Sequence, residues 1–255
     1  MEKLVYGKIL SLMLILMMKN NYLNGSGDIF LDVLKYHEEN EIGSSIDTNL
    51  PSSGDVEENV DDEENALDLG WELTLVNSDN KIPEGYEFEL ESIDTYREFD
   101  SRAIKYLKEM LSEARKCGVT NFWAQSTYRS IETQEKLYNN KVNFYMQQGK
   151  SEAEAKRLTE QTINKPACSE HNLGLAVDFN YVNYDFENTQ AFKWLIENAE
   201  DYGFVLRYKK EKEDITKVKY EPWHWRYVGK ENAIKMNELN MCLEEYVEYL
   251  KNEKN

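Results

Sequence analysis

The sequence predicts an α+β fold: a small, mainly antiparallel sheet with helices packed on one face. Three observations carry this. Apolar residues recur in some segments at helical spacing and in others at every second position. The two kinds of element do not alternate as regular strand-helix-strand units, which argues against a parallel sheet. Hydrophobic residues make up 41% of the chain and aromatics 12%, including 17 Tyr and 5 Trp, which supplies ample anchors for a core. At 255 residues the chain can hold one good-sized domain with an appendage.

The chain starts with an appendage. Lys3 and Lys8 precede the largely apolar run Ile9–Met18, which is too short for a spanning helix of about 20 residues and suits an export signal. No Ala-x-Ala site follows, only Asn24-Gly25-Ser26-Gly27, so residues 1–24 are expected to be an export signal or a retained membrane anchor. Between Lys35 and Lys81 there are fourteen Asp and Glu and no Lys or Arg, so most of the net charge of -18 lies there. Such a self-repelling, turn-rich stretch buries too little apolar surface to offset its ordering entropy; residues 25–66 are expected to be a disordered acidic tether. No basic stripe that could track phosphates is present, which excludes nucleic acid as an expected partner. Any membrane contact is expected through the N-terminal segment alone, and the expected state is a monomer.

The folded part is expected over residues 67–255. Trp71–Val76 reads as a short opening strand. Asp100 can cap a helix whose apolar positions Ile104, Leu107, Leu111 and Ala114 share one face, with Gly118 closing it. Residues 121–126 read as a strand, followed by a helix from Ile131 with Ser130 as its cap. Ser151 with Glu154 forms a capping box for a helix running to about Ile163. A further helix runs from about Gln190 to near Gly203, and the last two start near Lys230 and span about Leu243–Leu250. Alternation in residues 175–180 turns Leu175, Val177 and Phe179 to the core and Ala176, Asp178 and Asn180 the other way. The same period in residues 223–228 sets His224 and Arg226 opposite Trp223, Trp225 and Tyr227. Two short strands can therefore present Asp178 and His224 to one metal.

A lone histidine is usually a hydrogen-bonded core or surface group, and His37 in the tether keeps that reading. His171, seven residues before Asp178, and Glu221, three before His224, make a different combination. Imidazole and carboxylate donors suit zinc, and a catalytic site keeps three protein ligands with the fourth position open. His171, Asp178 and His224 supply three, leaving Glu221 as a general base. Cys117, Cys168 and Cys242 form no disulfide pattern. Cys168 with His171 also has metal-ligand spacing, but a closed site containing it would lose the reactive water, so a small packed residue is expected there.

These segments resemble the VanY-like D-alanyl-D-alanine carboxypeptidases, zinc peptidases of the lysostaphin, D-Ala-D-Ala peptidase and hedgehog-like fold group. The resemblance runs from about Trp71 to Leu250. It is carried by Leu73-Thr74-Leu75-Val76-Asn77, by Thr127-Tyr128-Arg129-Ser130-Ile131-Glu132-Thr133-Gln134, by Ser169 to Asp178, by Asp201 to Tyr208 and by Glu221 to Gly229. It implies zinc ligation by His171, Asp178 and His224, with Glu221 as catalytic base. Arg129 resembles the arginine that meets the substrate's terminal carboxylate or the developing oxyanion. Gln134 and Ser169 match positions lining the substrate site, while Trp223 either walls the cleft or packs in the core. Arg226 fits an anchor for a carboxylate behind a ligand. The implied activity is release of the terminal D-alanine from peptidoglycan stem peptides outside the cytoplasm, at the cell wall. An L,D-carboxypeptidase, a cross-link endopeptidase and a zinc-stabilised wall-binding module stand as alternatives. The chain departs from the pattern at Ala167 and Cys168, where glycine and a small residue are common, and at Lys217, where a glycine is expected after Thr216.

Overall fold

The computed structural model describes residues 69–253; the expected export segment, the tether and His37 lie outside the described residues. A two-stranded ribbon, β1 (Leu90–Ser92) and β2 (Glu98–Asp100), leads into helix α1 (Ile104–Lys116). Strand β3 (Ala124–Ser126) is followed by α2 (Ile131–Gln147) and α3 (Glu152–Thr159). Strand β4 (Ala176–Phe179) precedes α4 (Gln190–Asn198), β5 (Phe204–Leu206) and the short α5 (Glu213–Thr216). Strand β6 (His224–Tyr227), α6 (Lys230–Glu238) and α7 (Leu243–Glu253) complete the domain. Among the described residues no helix is long and apolar enough to cross a membrane.

The main sheet has the order β3-β4-β6-β5, antiparallel throughout. Its faces divide as the alternation demands. Ala124, Val177, Phe179, Phe204, Trp225 and Tyr227 turn to one large core, where Ile104, Leu107, Met110, Leu111 and Ala114 of α1 and Ala191, Trp194 and Leu195 of α4 meet them. Each of the larger aliphatic and phenyl side chains buried there contributes roughly 1.5–3 kcal/mol of transfer free energy. A smaller cluster joins Val205 and Val228 to Ala233 and Met236 of α6 and to Leu243, Tyr246 and Val247 of α7. Helices α2 and α3 share a third, around Tyr138, Val142, Ala155 and Ile163.

The helix caps follow the sequence at α2 and α3, where Ser130 and Ser151 accept from the backbone N–H of Thr133 and Glu154. Three expectations are corrected. Trp71–Val76 is not a strand: Trp71–Leu73 is a turn of 3-10 helix, and the carbonyls of Glu72 and Thr74 accept from the Arg226 guanidinium instead of a neighbouring strand. Asp100 does not cap α1 with its side chain, because that carboxylate is buried against Arg102, and Ala103 takes the cap position without a side-chain bond. Helix α3 ends at Thr159, short of Ile163, and residues 160–162 form a turn.

Gly203 ends the 3-10 turn Ala199–Tyr202 at φ 81. A Cβ there would lie 2.8 Å from the Tyr227 ring and 2.9 Å from the Gly229 carbonyl carbon, so only glycine lets the chain pass from this turn into β5.

Candidate metal centre and active site

Strands β4 and β6 pair with Asp178 directly opposite His224 and Ala176 opposite Arg226. The tryptophan and valine side chains between them fill the core, so the polar partners must share the opposite face. His171 reaches the same spot from the 3-10 helix Glu170–Leu173, which stops at Gly174 in the left-handed region at φ 69. One donor atom from each of His171, Asp178 and His224 lies within 4.8 Å of the others, and all three residues are buried.

The two imidazoles are oriented by different groups. His171 Nδ1–H donates to the Thr127 carbonyl at 2.7 Å, which leaves Nε2 facing Asp178 Oδ2 at 3.2 Å. His224 Nε2–H donates to Glu170 Oε2 at 3.3 Å, leaving Nδ1 facing Asp178 Oδ1 at 3.0 Å. Burial works against charging either ring. For His171 it wins and holds the pKa low; for His224 the hydrogen bonds with Asp178 and Glu170 outweigh it and bring the pKa up to about 9. Burial also opposes ionising Asp178, yet the two histidines hold its carboxyl well below the usual range. The pocket therefore draws positive charge, and two nitrogens, each on a ring fixed by a partner at its other nitrogen, form with one carboxylate a donor set that fits zinc.

Glu221 stands beside this group, with Oε2 3.8 Å from His224 Nδ1. The Glu-Pro-Trp-His turn closes through a bond from His224 N–H to the Glu221 carbonyl, so the spacing of three places both side chains on one side. Burial pushes the Glu221 carboxyl up to about 8. Arg129 adjoins the group: its backbone N–H donates to the His171 carbonyl, and its guanidinium donates to Gln134 Oε1 at 2.7 Å and Ser126 Oγ at 3.1 Å.

Gln134 is buried, bonded to Arg129 and, through its amide nitrogen, to the Asn164 carbonyl at 2.6 Å. It is thus no exposed helix residue, and its side chain braces the arginine. Ser169 is buried at the start of the 3-10 helix. Trp223 lies in the large core, with its ring against Tyr184 at 5.5 Å. Cys168 is buried and stands outside the clustered donors; burial pushes its thiol up. Arg226 does anchor a carboxylate, that of Glu170 at 2.9 Å.

Sequence reasoning passed over Glu170 and Arg207. Both are fully buried and bonded to each other at 2.7 Å. The one hint was position, since Glu170 precedes His171 and Arg207 closes β5, but nothing in a sequence marks a glutamate as buried.

The family model for VanY, D-alanyl-D-alanine carboxypeptidase, matches residues 96–230, a span that contains every residue of this cluster. The chain belongs to this family. A D-alanyl-D-alanine carboxypeptidase of Enterococcus faecalis is 41% identical over 177 residues, 69% of this chain and 66% of that protein, so the chain spans slightly under two thirds of that relative. Two solved structures are similar as well. VanYB in complex with D-alanine-D-alanine is 40% identical with a TM-score of 0.64, covering 70% of this chain and 98% of that one. A mutant of the vancomycin-resistance D,D-pentapeptidase VanY, from a VanB-type resistance cassette and in complex with Zn(II), is 39% identical with a TM-score of 0.63, covering 70% and 99%.

Proposed function

We propose that the chain is a zinc-dependent D-alanyl-D-alanine carboxypeptidase that releases the C-terminal D-alanine from peptidoglycan stem peptides. The observation that carries this is the buried His171, Asp178 and His224 cluster with Glu221 beside it, in a member of the VanY family. Zinc held by those three residues would lower the pKa of water to about 7 and polarise the scissile carbonyl.

The chain's own groups do the rest. Glu221, desolvated and next to the ligands, takes the proton from the attacking water and returns it to the departing amine of D-alanine. Arg129 offers a planar guanidinium to the substrate's terminal carboxylate or to the developing oxyanion, and Gln134 and Ser126 hold that fork in place. Ser169 lines the approach, Gln134 acts on it through the arginine that it braces, and Trp223 packs in the core. The substrate is extracytoplasmic, which agrees with an export or anchor role for residues 1–24 and a spacer role for residues 25–66.

Incubating the metal-loaded chain with a stem pentapeptide ending in D-Ala-D-Ala should give the tetrapeptide and free D-alanine. A parallel tetrapeptide substrate and a cross-linked dimer test for L,D-carboxypeptidase or endopeptidase cleavage. Zinc retained without turnover of any of the three would sink the enzymatic reading and leave a wall-binding module.

A further inference from the structure

Behind the metal-ligating cluster lies a buried ion network that no step of the proposed reaction uses. Glu170 takes Arg207 Nε at 2.7 Å and Arg226 Nη1 at 2.9 Å on Oε1, and turns Oε2 to His224 Nε2 at 3.3 Å. Arg207 extends the network outward with two bonds to the Glu244 carboxylate of α7, at 2.8 and 2.7 Å. Asn77 adds a third to Glu244 at 3.1 Å. The other N–H groups of Arg226 go to the carbonyls of Glu72, Thr74 and Tyr227, so that side chain is tied to its place.

A carboxylate this deep needs opposite charge around it, and two guanidiniums supply it. The result is an asymmetry between the two histidines. His171 is oriented by a neutral carbonyl, whereas the outer N–H of His224 meets a fixed negative charge. Such a carboxylate selects the tautomer with the proton on Nε2, keeps Nδ1 aimed at Asp178 and makes the imidazole a stronger donor to a cation.

We propose that Glu170, clamped by Arg207 and Arg226 and braced from α7 through Glu244, is the positioning residue that fixes His224 as an Nδ1 ligand and sets the site's grip on zinc. The inference rests on the zinc reading of the cluster.

Zinc affinity of the full chain, measured by competition with a chromogenic chelator, tests it without recourse to activity. Glu170→Gln should bind zinc about 10- to 100-fold more weakly, and Glu244→Gln should show a smaller loss in the same direction. In the zinc-loaded wild type, long-range proton-nitrogen spectra should show the His224 proton held on Nε2, and in Glu170→Gln that signal should broaden by exchange. A merely structural Glu170 would lower the melting temperature of the metal-free protein but leave affinity within twofold and the Nε2 signal intact; that result overturns the proposal. Should Glu170→Gln fail to fold, the double variant Glu170→Gln/Arg207→Gln removes one positive charge along with the negative one and should show the same loss. Unchanged affinity there would overturn the proposal equally. A wild-type chain that binds no zinc at all would instead bring down the reading underneath.

Discussion

Asp178 is the residue on which the site turns, because one carboxylate faces both imidazoles and each imidazole spends its other nitrogen elsewhere. Its neighbour in function, Glu221, can be separated from it experimentally. Glu221→Ala should lower D-alanine release by at least about 10²-fold while zinc stoichiometry is unchanged, since a general base contributes roughly 10² to 10⁴ and ligates nothing. Arg129→Lys loses the planar fork and should lower kcat/KM by about 10²-fold. A rise in KM alone would assign Arg129 to the terminal carboxylate, and an equal fall in kcat and kcat/KM to the oxyanion. Lys217, where the family pattern has glycine, adopts φ 62 at the end of α5. A side chain in that region costs about 1–2 kcal/mol, only partly offset by glycine's greater freedom in the unfolded chain. Lys217→Gly should therefore stabilise the domain by up to about 1 kcal/mol, read as a higher melting temperature. These residues were legible to different degrees. That His171, Asp178, His224 and Glu221 come together could be read because their spacing places them on one side of short strands and turns, whereas the burial of Glu170 could not, since it depends on two arginines 37 and 56 positions away.

At the scale of elements, what was legible was what is local. The alternation in β4 and β6 assigned the faces correctly, and the capping serines of α2 and α3 marked the helix starts. The segment from Trp71 failed as a strand because its hydrogen-bond partner is a guanidinium from β6, more than 150 positions away, and no local pattern contains that. Helix α7 shows how such distant ties set stability. Burial alone would raise the Glu244 carboxyl, but the Arg207 charge and the bonds from Arg207 and Asn77 outweigh it and hold the group below its ordinary value. Depression of this kind contributes stability that is complete above the unfolded glutamate pKa of about 4.3 and is lost as pH falls through the folded value. Glu244→Gln should thus lower stability at neutral pH and flatten its decline below about pH 5, measured by denaturant titration across that range. Gly203→Ala should cost at least about 1–3 kcal/mol, because the added Cβ meets a ring and a backbone carbon and the backbone is already left-handed.

The whole domain joins one sheet, with its core on one face, to a polar cluster on the other that two strands and a 3-10 helix assemble together. A ligand that binds only this assembled state stabilises it by mass action, about 2.7 kcal/mol at a hundred times its Kd. Stripping the protein with a chelator should lower its melting temperature, and zinc should restore it in proportion to the logarithm of free metal. The α+β class, the antiparallel sheet and the family were all readable from the chain; the order β3-β4-β6-β5 was not, because it rests on backbone pairings between strands far apart in the chain, such as Asp178 with His224, which no local pattern contains. The most direct measurement is the mass of the products when the metal-loaded chain meets a stem pentapeptide ending in D-Ala-D-Ala, with and without chelator. A zinc carboxypeptidase must give tetrapeptide and one D-alanine per cleavage, abolished by chelation and recovered with zinc; an intact pentapeptide in the metal-loaded reaction, or cleavage indifferent to the chelator, would contradict it.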